Sequence, residues 1–249
     1  ELSTDCILKT AEFGYDGKGQ CPINADDNES DLERIWSDFG GARAVLEEKV
    51  KLAAEISVIV VRAQSGEIAT YDPAENQHRH HILDVSIVPA RLPDAQLAEA
   101  QKIAVDVAEA LNYVGTLGFE FFLSTDGRLL VNEMAPRPHN SGHHTLDACA
   151  CSQFEQQLRA ICGLPLGSTK LVQPAVMWNL LGDLWIDEST PPDWTPILET
   201  PGANFHLYGK AEARVGRKMG HATFLAETIE ESLEQVQRCR APFGWAMPE

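Results

Sequence analysis

Two glutamates thirteen residues apart, Glu120 and Glu133, carry the sharpest chemical signal in the chain. They lie in two strand-like runs between Thr116 and Ala135, separated by Asp126-Gly127. An Asp-Gly pair between alternating runs predicts a two-residue type I′ hairpin turn. That turn sets Thr125 opposite Arg128 and therefore Glu120 opposite Glu133, on one face with Cβ atoms ~5 Å apart. Two like charges directly opposite one another destabilise a sheet unless something neutralises them. The apolar neighbours Phe119, Phe121, Phe122, Leu130 and Val131 argue against simple solvation of both. A hard divalent cation between the carboxylates resolves the conflict, and Mg²⁺ carried by nucleotide phosphates suits it best. A solvated pair on an exposed face, or a register shifted by a bulge, are the alternatives.

Two clusters of cations stand out in an otherwise acidic chain. Residues 209–220 hold Lys210, Arg214, Arg217 and Lys218 against Glu212 alone, a local net of +3 (four cations less one anion) where the whole chain carries −17. Such a cluster suits a phosphate held by forked guanidiniums; a solvated basic loop is the plainer reading. Residues 134–144 contain no acid but hold Arg137, His139, His143 and His144, with Pro136 and Pro138 keeping the backbone extended just after Glu133. Arg137 is thereby brought near the expected metal and suits a small oxyanion. His143 and His144 are expected to pack against the following helix. Six of the eight histidines fall in two groups (78, 80, 81 and 139, 143, 144), which raises a zinc site as a competing reading. No helical His-x-x-x-His pair or cysteine spacing supports it. The loop Gly14-Tyr15-Asp16-Gly17-Lys18-Gly19-Gln20 does not match the Walker A pattern. Lys9 before it and Lys18 within it could still reach phosphates lined by bare backbone N–H groups.

The elements that must hold these residues read as an α+β chain. Cys6–Thr10 is a short strand; Ser30-Asp31-Leu32-Glu33 is a capping box opening a helix that ends near Gly40-Gly41. Two strands follow between Ala44 and Arg62. Asp94 caps a helix with Leu97, Ile103, Ala104, Val107 and Leu111 at helical spacing. After the hairpin comes one helix over 145–162, ending at Gly163, and a last helix near 229–240. The texture changes after Gly163, so the chain is expected to divide into a first unit at 1–165, which holds the candidate nucleotide and metal residues, and a small β-rich domain at 166–249. The 249 residues are 44% hydrophobic and 23% charged, enough for a substantial core. The net charge of −17 disfavours nucleic acid or an anionic membrane as the main partner. No apolar run reaches the ~18 residues of a membrane span. The six cysteines form no Cys-x-x-Cys pair and read as free thiols of a cytoplasmic protein.

Three motifs together resemble one family. Gly14-Tyr15-Asp16-Gly17-Lys18-Gly19-Gln20, the run Glu133-Met134-Ala135-Pro136-Arg137-Pro138-His139-Asn140-Ser141-Gly142-His143-His144-Thr145, and Gly216-Arg217-Lys218-Met219-Gly220-His221 are similar to those of the N5-carboxyaminoimidazole ribonucleotide synthetases. These are ATP-grasp carboxylases of purine biosynthesis. The second motif runs on through Leu146-Asp147-Ala148-Cys149 and Ser152-Gln153-Phe154-Glu155, and the resemblance covers all but the last few residues. It implies an ATP-grasp C-terminal lobe, an antiparallel sheet with flanking helices, plus a small β-rich C-terminal domain.

The resemblance also implies roles. Lys9 and residues Gly14 to Gln20 would hold ATP phosphates; Glu47, Glu48, Lys49 and Val50 would form the hinge against adenine. Glu55 would accept from the ribose hydroxyls, with His78 beside the nucleotide. Glu120 and Glu133 would bind Mg²⁺, with Asn132 adjacent. Arg137, His139 and Asn140 would line the bicarbonate site. Tyr15, Asp16, Lys210, Arg217 and Lys218 would hold aminoimidazole ribonucleotide, the basic residues on its 5′-phosphate and Asp16 on its exocyclic amine. A homodimer in the cytoplasm is implied as well. The chain departs from the family at His80, where relatives often carry an acid or another small polar residue. It opens on Glu1 without the N-terminal nucleotide-fold domain and first ATP-grasp segment such enzymes possess, so the isolated 249 residues are expected not to turn over. Another ATP-grasp ligase, which should lack the Arg217-Lys218 grip, and a non-catalytic nucleotide-binding or dimerising fragment stay open beside this reading.

Overall fold

Ile56 to Val61 form a run in which every residue is buried, the pattern of a strand covered on both faces. In the computed structural model, which describes residues 3–12, 19–41, 43–187, 189–245 and 247, this run is the heart of the largest sheet. The chain packs as two units, one of residues 1–51 with 80–82 and the other of residues 52–79 with 83–249.

In the first unit, strand β1 (Cys6–Thr10) lies between β2 (Gln20–Ile23) and β3 (Ala44–Glu48), antiparallel to both. Cys6, Leu8 and Ile23 form its small core with Leu32, Ile35 and Phe39, the last three from or next to helix α1 (Glu29–Asp38). The cap of α1 is Asn28, not Ser30. Its side chain accepts from the amides of Ser30 and Asp31 while Asp31 answers to the Asn28 amide, so the capping box sits two residues earlier than expected.

The second unit is built on a nine-stranded sheet in the order β11-β12-β10-β7-β6-β4-β8-β9, with β5 also paired to β4. These strands are β4 (Leu52–Arg62), β5 (Ile68–Thr70), β6 (Ala74–Arg79), β7 (Ile82–Val88), β8 (Gly115–Ser124), β9 (Leu129–Ala135), β10 (Ala175–Leu181), β11 (Ala203–Leu207) and β12 (Lys218–Leu225). Because β10 pairs with β7, the residues after 165 continue this sheet, and the packing follows a division other than 165/166. Helix α2 (Asp94–Ala110) packs on β4 and β8 through Ala100, Ala104 and Ala108, all fully buried. These three small side chains, not Leu97 and Leu111, set the closest approach. Asp94 is the first helical residue rather than the cap, a place taken by Pro93 with no side-chain hydrogen bond. The helix expected over 145–162 is two, α3 (Thr145–Ala148) and α4 (Gln153–Ile161), because Cys149 is extended and Ser152 caps the second. The short helix α5 (Thr195–Leu198) precedes α6 (Ile229–Arg240), which covers β10 and β12, its Val236 in one core with Trp178 and Phe224.

A fully buried ion pair pins α6 to the sheet: Arg240 donates from Nη1 and Nη2 to the two Asp84 oxygens at 2.9 and 2.7 Å. No helix among the described residues is long and apolar enough to cross a membrane. All six cysteines are free.

Candidate functional site

The hairpin brings Glu120 and Glu133 face to face, although its turn is not the two-residue one expected. Ser124 donates its amide to the Arg128 carbonyl at 2.9 Å, which leaves a three-residue loop whose last member, Gly127, has φ +86°. This is a type I turn closed by a left-handed glycine, and it shifts the register by one. Phe121 therefore pairs with Val131 rather than Asn132. Between Val131 and Glu133 a bulge leaves Asn132 unpaired and shifts the register back, so that Glu120 meets Glu133 after all. The two departures cancel at the one position where side chains do chemistry.

Glu120 is mostly buried and Glu133 exposed. Burial, then the neighbouring charge of Glu133, push Glu120 up to about 7. Beside them His139 is buried, with its Nε2 3.4 Å from a Glu120 oxygen. The Ser141 amide donates to His139 Nδ1, and the Ser141 hydroxyl lies 2.9 Å from it. With Nδ1 occupied as an acceptor, the ring proton sits on Nε2, the nitrogen on the Glu120 side of the ring. Burial, then the charges of Arg137 and Lys218, push His139 down to about 3, so the ring is neutral near pH 7. Ligand atoms of Glu120, Glu133 and His139 lie within 4.8 Å of one another. Since a protonated Nε2 offers no lone pair, the donor set is two carboxylates, which suits a hard cation such as Mg²⁺.

Without a divalent cation, ionising Glu120 costs stability. Its folded value of about 7 lies above the ordinary 4.5. The carboxyl's contribution is thus fully present below pH 4.5 and lost as pH rises through 7, on the order of 3 kcal/mol in all. Glu120→Gln cannot ionise and should exceed the wild type in stability by about that much at pH 8, while gaining little at pH 4. Urea unfolding in EDTA at the two pH values checks this; equal stabilities at pH 8 would contradict it.

The 136–144 loop is tied down throughout. Arg137 is exposed and donates to the Pro138 carbonyl at 3.0 Å. Asn140 and the buried Asn179 of β10 exchange amide hydrogen bonds at 2.9 and 2.7 Å. His143 Nδ1 lies 3.0 Å from the His139 carbonyl, and His144 Nδ1 2.9 Å from that of Ser141. His143 also packs on Phe154, with ring centroids 5.3 Å apart. The three histidines turn their Nδ1 atoms to their own loop and do not converge, which overturns the zinc reading there. In the other histidine group, His80 and His81 form the β6–β7 turn with φ +50° and +64°.

A second cluster was not anticipated. His206 lies 3.0 Å from Asp147, and its ring stacks on that of His221, centroids 4.5 Å apart and 15° from parallel. Tyr208 is 2.8 Å from His221 Nδ1. Two stacked rings cannot share one ion in both ring planes, so this is a packed polar network. Asp147 and His221 belong to two of the motifs above, but His206 and Tyr208 lie outside them, and no local spacing brings the four together.

Glu55 and His78 meet at 3.1 Å across β4 and β6, at a cleft of about 390 Å³ walled by residues 52–55 and 75–78. Burial alone would lower His78; its hydrogen bond to Glu55 and the charges of Glu55 and Glu120 outweigh that and raise it. In the basic loop, Arg217 donates to the Glu212 carbonyl at 2.6 Å, Arg214 pairs with the Glu212 carboxylate and Lys210 bonds the Lys218 carbonyl. Burial, then the charges of Arg217 and Lys218, push Lys210 down, the mark of cations crowded together. In the first unit, Lys9 pairs with Glu47 at 2.6 Å, and the Lys49 amide is taken by the Asp5 carbonyl at 2.8 Å, so it is no donor for a base. Glu48 ends β3, with Val50 just beyond it. Of the glycine loop, Gly19 and Gln20 enter β2, while Gly14, Tyr15, Asp16, Gly17 and Lys18 lie outside the described residues.

Comparison with known proteins sets these features in a lineage. Residues 1–154 match the ATP-grasp domain, and residues 175–235 match the phosphoribosylaminoimidazole carboxylase C-terminal domain. The chain is 47% identical over 237 residues to the N5-carboxyaminoimidazole ribonucleotide synthase of Bacillus subtilis (strain 168), covering 95% of this chain and 60% of that protein. It is similar in structure to the N5-carboxyaminoimidazole ribonucleotide synthetase of Thermus thermophilus, with TM-score 0.85, 38% identity and coverage of 98% of this chain and 63% of that one. The Aspergillus clavatus N5-carboxyaminoimidazole synthase, solved with ADP and 5-aminoimidazole ribonucleotide, matches with TM-score 0.83 and 31% identity over 96% of this chain and 62% of that one. The chain thus spans about three fifths of the length of these relatives.

Proposed function

This chain belongs to the ATP-grasp family, and on that premise we propose that it serves the ATP- and bicarbonate-dependent carboxylation of 5-aminoimidazole ribonucleotide to N5-carboxyaminoimidazole ribonucleotide in purine biosynthesis. The observation that carries the reading is the facing pair Glu120–Glu133, with the buried member held protonated to about pH 7 and a neutral His139 beside it. Glu120 and Glu133, with Asn132 adjacent, would hold Mg²⁺, which supplies the positive charge that offsets the polyphosphate's.

The chain's own residues then divide the work. Lys9 and the 14–20 loop hold phosphates, and residues 47–50 meet adenine through backbone groups other than the Lys49 amide, which Asp5 takes. Glu55 accepts from the ribose, with His78 fixing the carboxylate's orientation. Arg137 and Asn140 bind bicarbonate, while His139 offers its Nε2–H to an oxyanion rather than taking a proton. A bicarbonate oxygen attacks the γ-phosphorus of ATP and the bond to ADP breaks, leaving carboxyphosphate. Carboxyphosphate then loses its phosphate, either as the amine nitrogen of the imidazole bonds to the carboxyl carbon or beforehand, to give CO₂ that the nitrogen attacks; Asp16, next to Tyr15 in the chain, orients the amine or takes its proton. Lys210, Arg217 and Lys218 grip the 5′-phosphate, and their crowding in the basic loop supports an anion there. Six free cysteines support a reducing cytoplasmic setting. The exposed Phe154, Leu158 and Ile161 of α4 support a homodimer.

Arg217→Ala tests the substrate assignment. It should raise KM for the ribonucleotide by about 10–150-fold, or 1.5–3 kcal/mol for one charge-assisted contact, and leave KM for ATP nearly unchanged. Steady-state kinetics of the full-length enzyme read both. A raised ATP KM with an unchanged ribonucleotide KM would give the basic loop to the nucleotide instead.

A further inference from the structure

Helix α4 is inverted. Its buried positions are Gln153, Gln156 and Ala160, while Phe154, Leu158 and Ile161 face outward. A helix that buries two amides and exposes three large apolar side chains is held in place by something other than burial of its apolar stripe. Gln153 shows what that is. Its Oε1 accepts from the His139 amide at 2.9 Å, and its Nε2 donates to the His139 carbonyl at 2.7 Å. The side-chain amide pairs with one residue's backbone as a neighbouring strand would, and the two bonds together fix which way the amide faces. Gln153 is itself anchored: its amide donates to the Thr145 hydroxyl at 3.0 Å, and its carbonyl accepts from the Thr116 hydroxyl at 3.2 Å.

The His139 side chain is seated from another direction by Gly118 on β8. A Cβ added at Gly118 would lie 2.5 Å from His139 Cβ and 2.8 Å from its Cγ, so the imidazole lies against bare backbone. A glycine inside a central strand weakens it and marks a close approach. Here what approaches is the ring whose Nε2 lies 3.4 Å from Glu120.

We propose that Gln153 and Gly118 are positioning residues for the carboxylation reaction: the glutamine clamps the His139 backbone on both sides, and the glycine leaves the space its ring occupies beside Glu120. This inference rests on the functional reading above for what His139 does, but not for where it sits. Neither residue touches substrate; both act through His139.

The test uses the full-length enzyme. Gln153→Met keeps length and removes both hydrogen bonds, and Gly118→Ala adds one methyl and removes nothing. Each should lower kcat about 10–100-fold, as expected for a group displaced by ~1 Å, with KM for ATP changed less than about threefold. In a His139→Ala background, Gln153→Met should cost less than about twofold more, because its effect runs through the missing ring. Crystal structures of the two variants should show His139 Nε2 displaced from Glu120 by more than about 1 Å. Should Gln153→Met not fold, Gly118→Ala carries the test alone. Folded variants with His139 in place and kcat within twofold of wild type would overturn the proposal, as would full multiplication of losses in the double variant. If the unmodified enzyme makes no carboxylated product, the functional reading fails on its own, and the variant structures still decide the positioning.

Discussion

Replacing Glu133 by glutamine is expected to cut turnover of the full-length enzyme by about 10²–10³-fold at saturating Mg²⁺, or ~3–4 kcal/mol of barrier. The change keeps shape and hydrogen-bonding capacity but removes one of two charges on the hairpin face. Charge that offsets the polyphosphate matters most where the γ-phosphoryl is in transit, so the loss should fall on kcat more than on KM for ATP. Folding should survive. Glu133 is exposed, and its removal relieves the repulsion that helps push Glu120 up to about 7. Melting temperature and kinetics together check this. Near-normal turnover in a folded variant would remove Glu133 from the metal site.

The second large effect is on stability. Asp84→Ala should cost about 3–5 kcal/mol, because it leaves the Arg240 guanidinium buried without the carboxylate that accepts from both its Nη atoms. Both side chains are fully buried, so water cannot take the carboxylate's place without opening the packing of α6 on β7. Arg240 also lies over the Trp178 ring, 5.1 Å from its centroid, so the lost pair loosens the core beneath it. Removing both charges with Asp84→Leu and Arg240→Met should cost less than Asp84→Ala alone, since the fully buried guanidinium goes together with its carboxylate and only the partly exposed Arg79, 3.4 Å from Asp84, loses that contact. Denaturant unfolding of the wild type and both variants measures this; a double variant as unstable as Asp84→Ala would contradict the account.

The α+β class, the hairpin and the last helix were legible because each rests on local pattern. The Glu120–Glu133 pairing was legible for a reason that does not hold in detail. The turn takes three residues, since Ser124 pairs with Arg128, and the bulge at Asn132 repays the slip. Neither is visible in an alternation that reads the same in both registers. The caps of α1 and α2 were misplaced because Ser30 and Asp94 are good capping residues that happen to fall inside the helices. What could not be read was long-range and polar. Gln153 sits beside Phe154, Leu158 and Ile161, whose spacing marks a core face when taken alone, yet the glutamine is the buried one. Its partner is the backbone of His139, and backbone hydrogen bonds leave no trace in side-chain pattern. Asn179 in an apolar strand gave a weak signal: a lone amide at a fully buried position must have found a partner.

The most direct test of the central claim is a stoichiometric assay on the full-length protein with ATP, Mg²⁺ and bicarbonate, with and without 5-aminoimidazole ribonucleotide, following ADP and carboxylated imidazole together. The account predicts one carboxylated product per ADP when all four are present, and loss of product when Mg²⁺, bicarbonate or the ribonucleotide is left out. ADP release matched by no carboxylated imidazole, or product formed without bicarbonate, would contradict it.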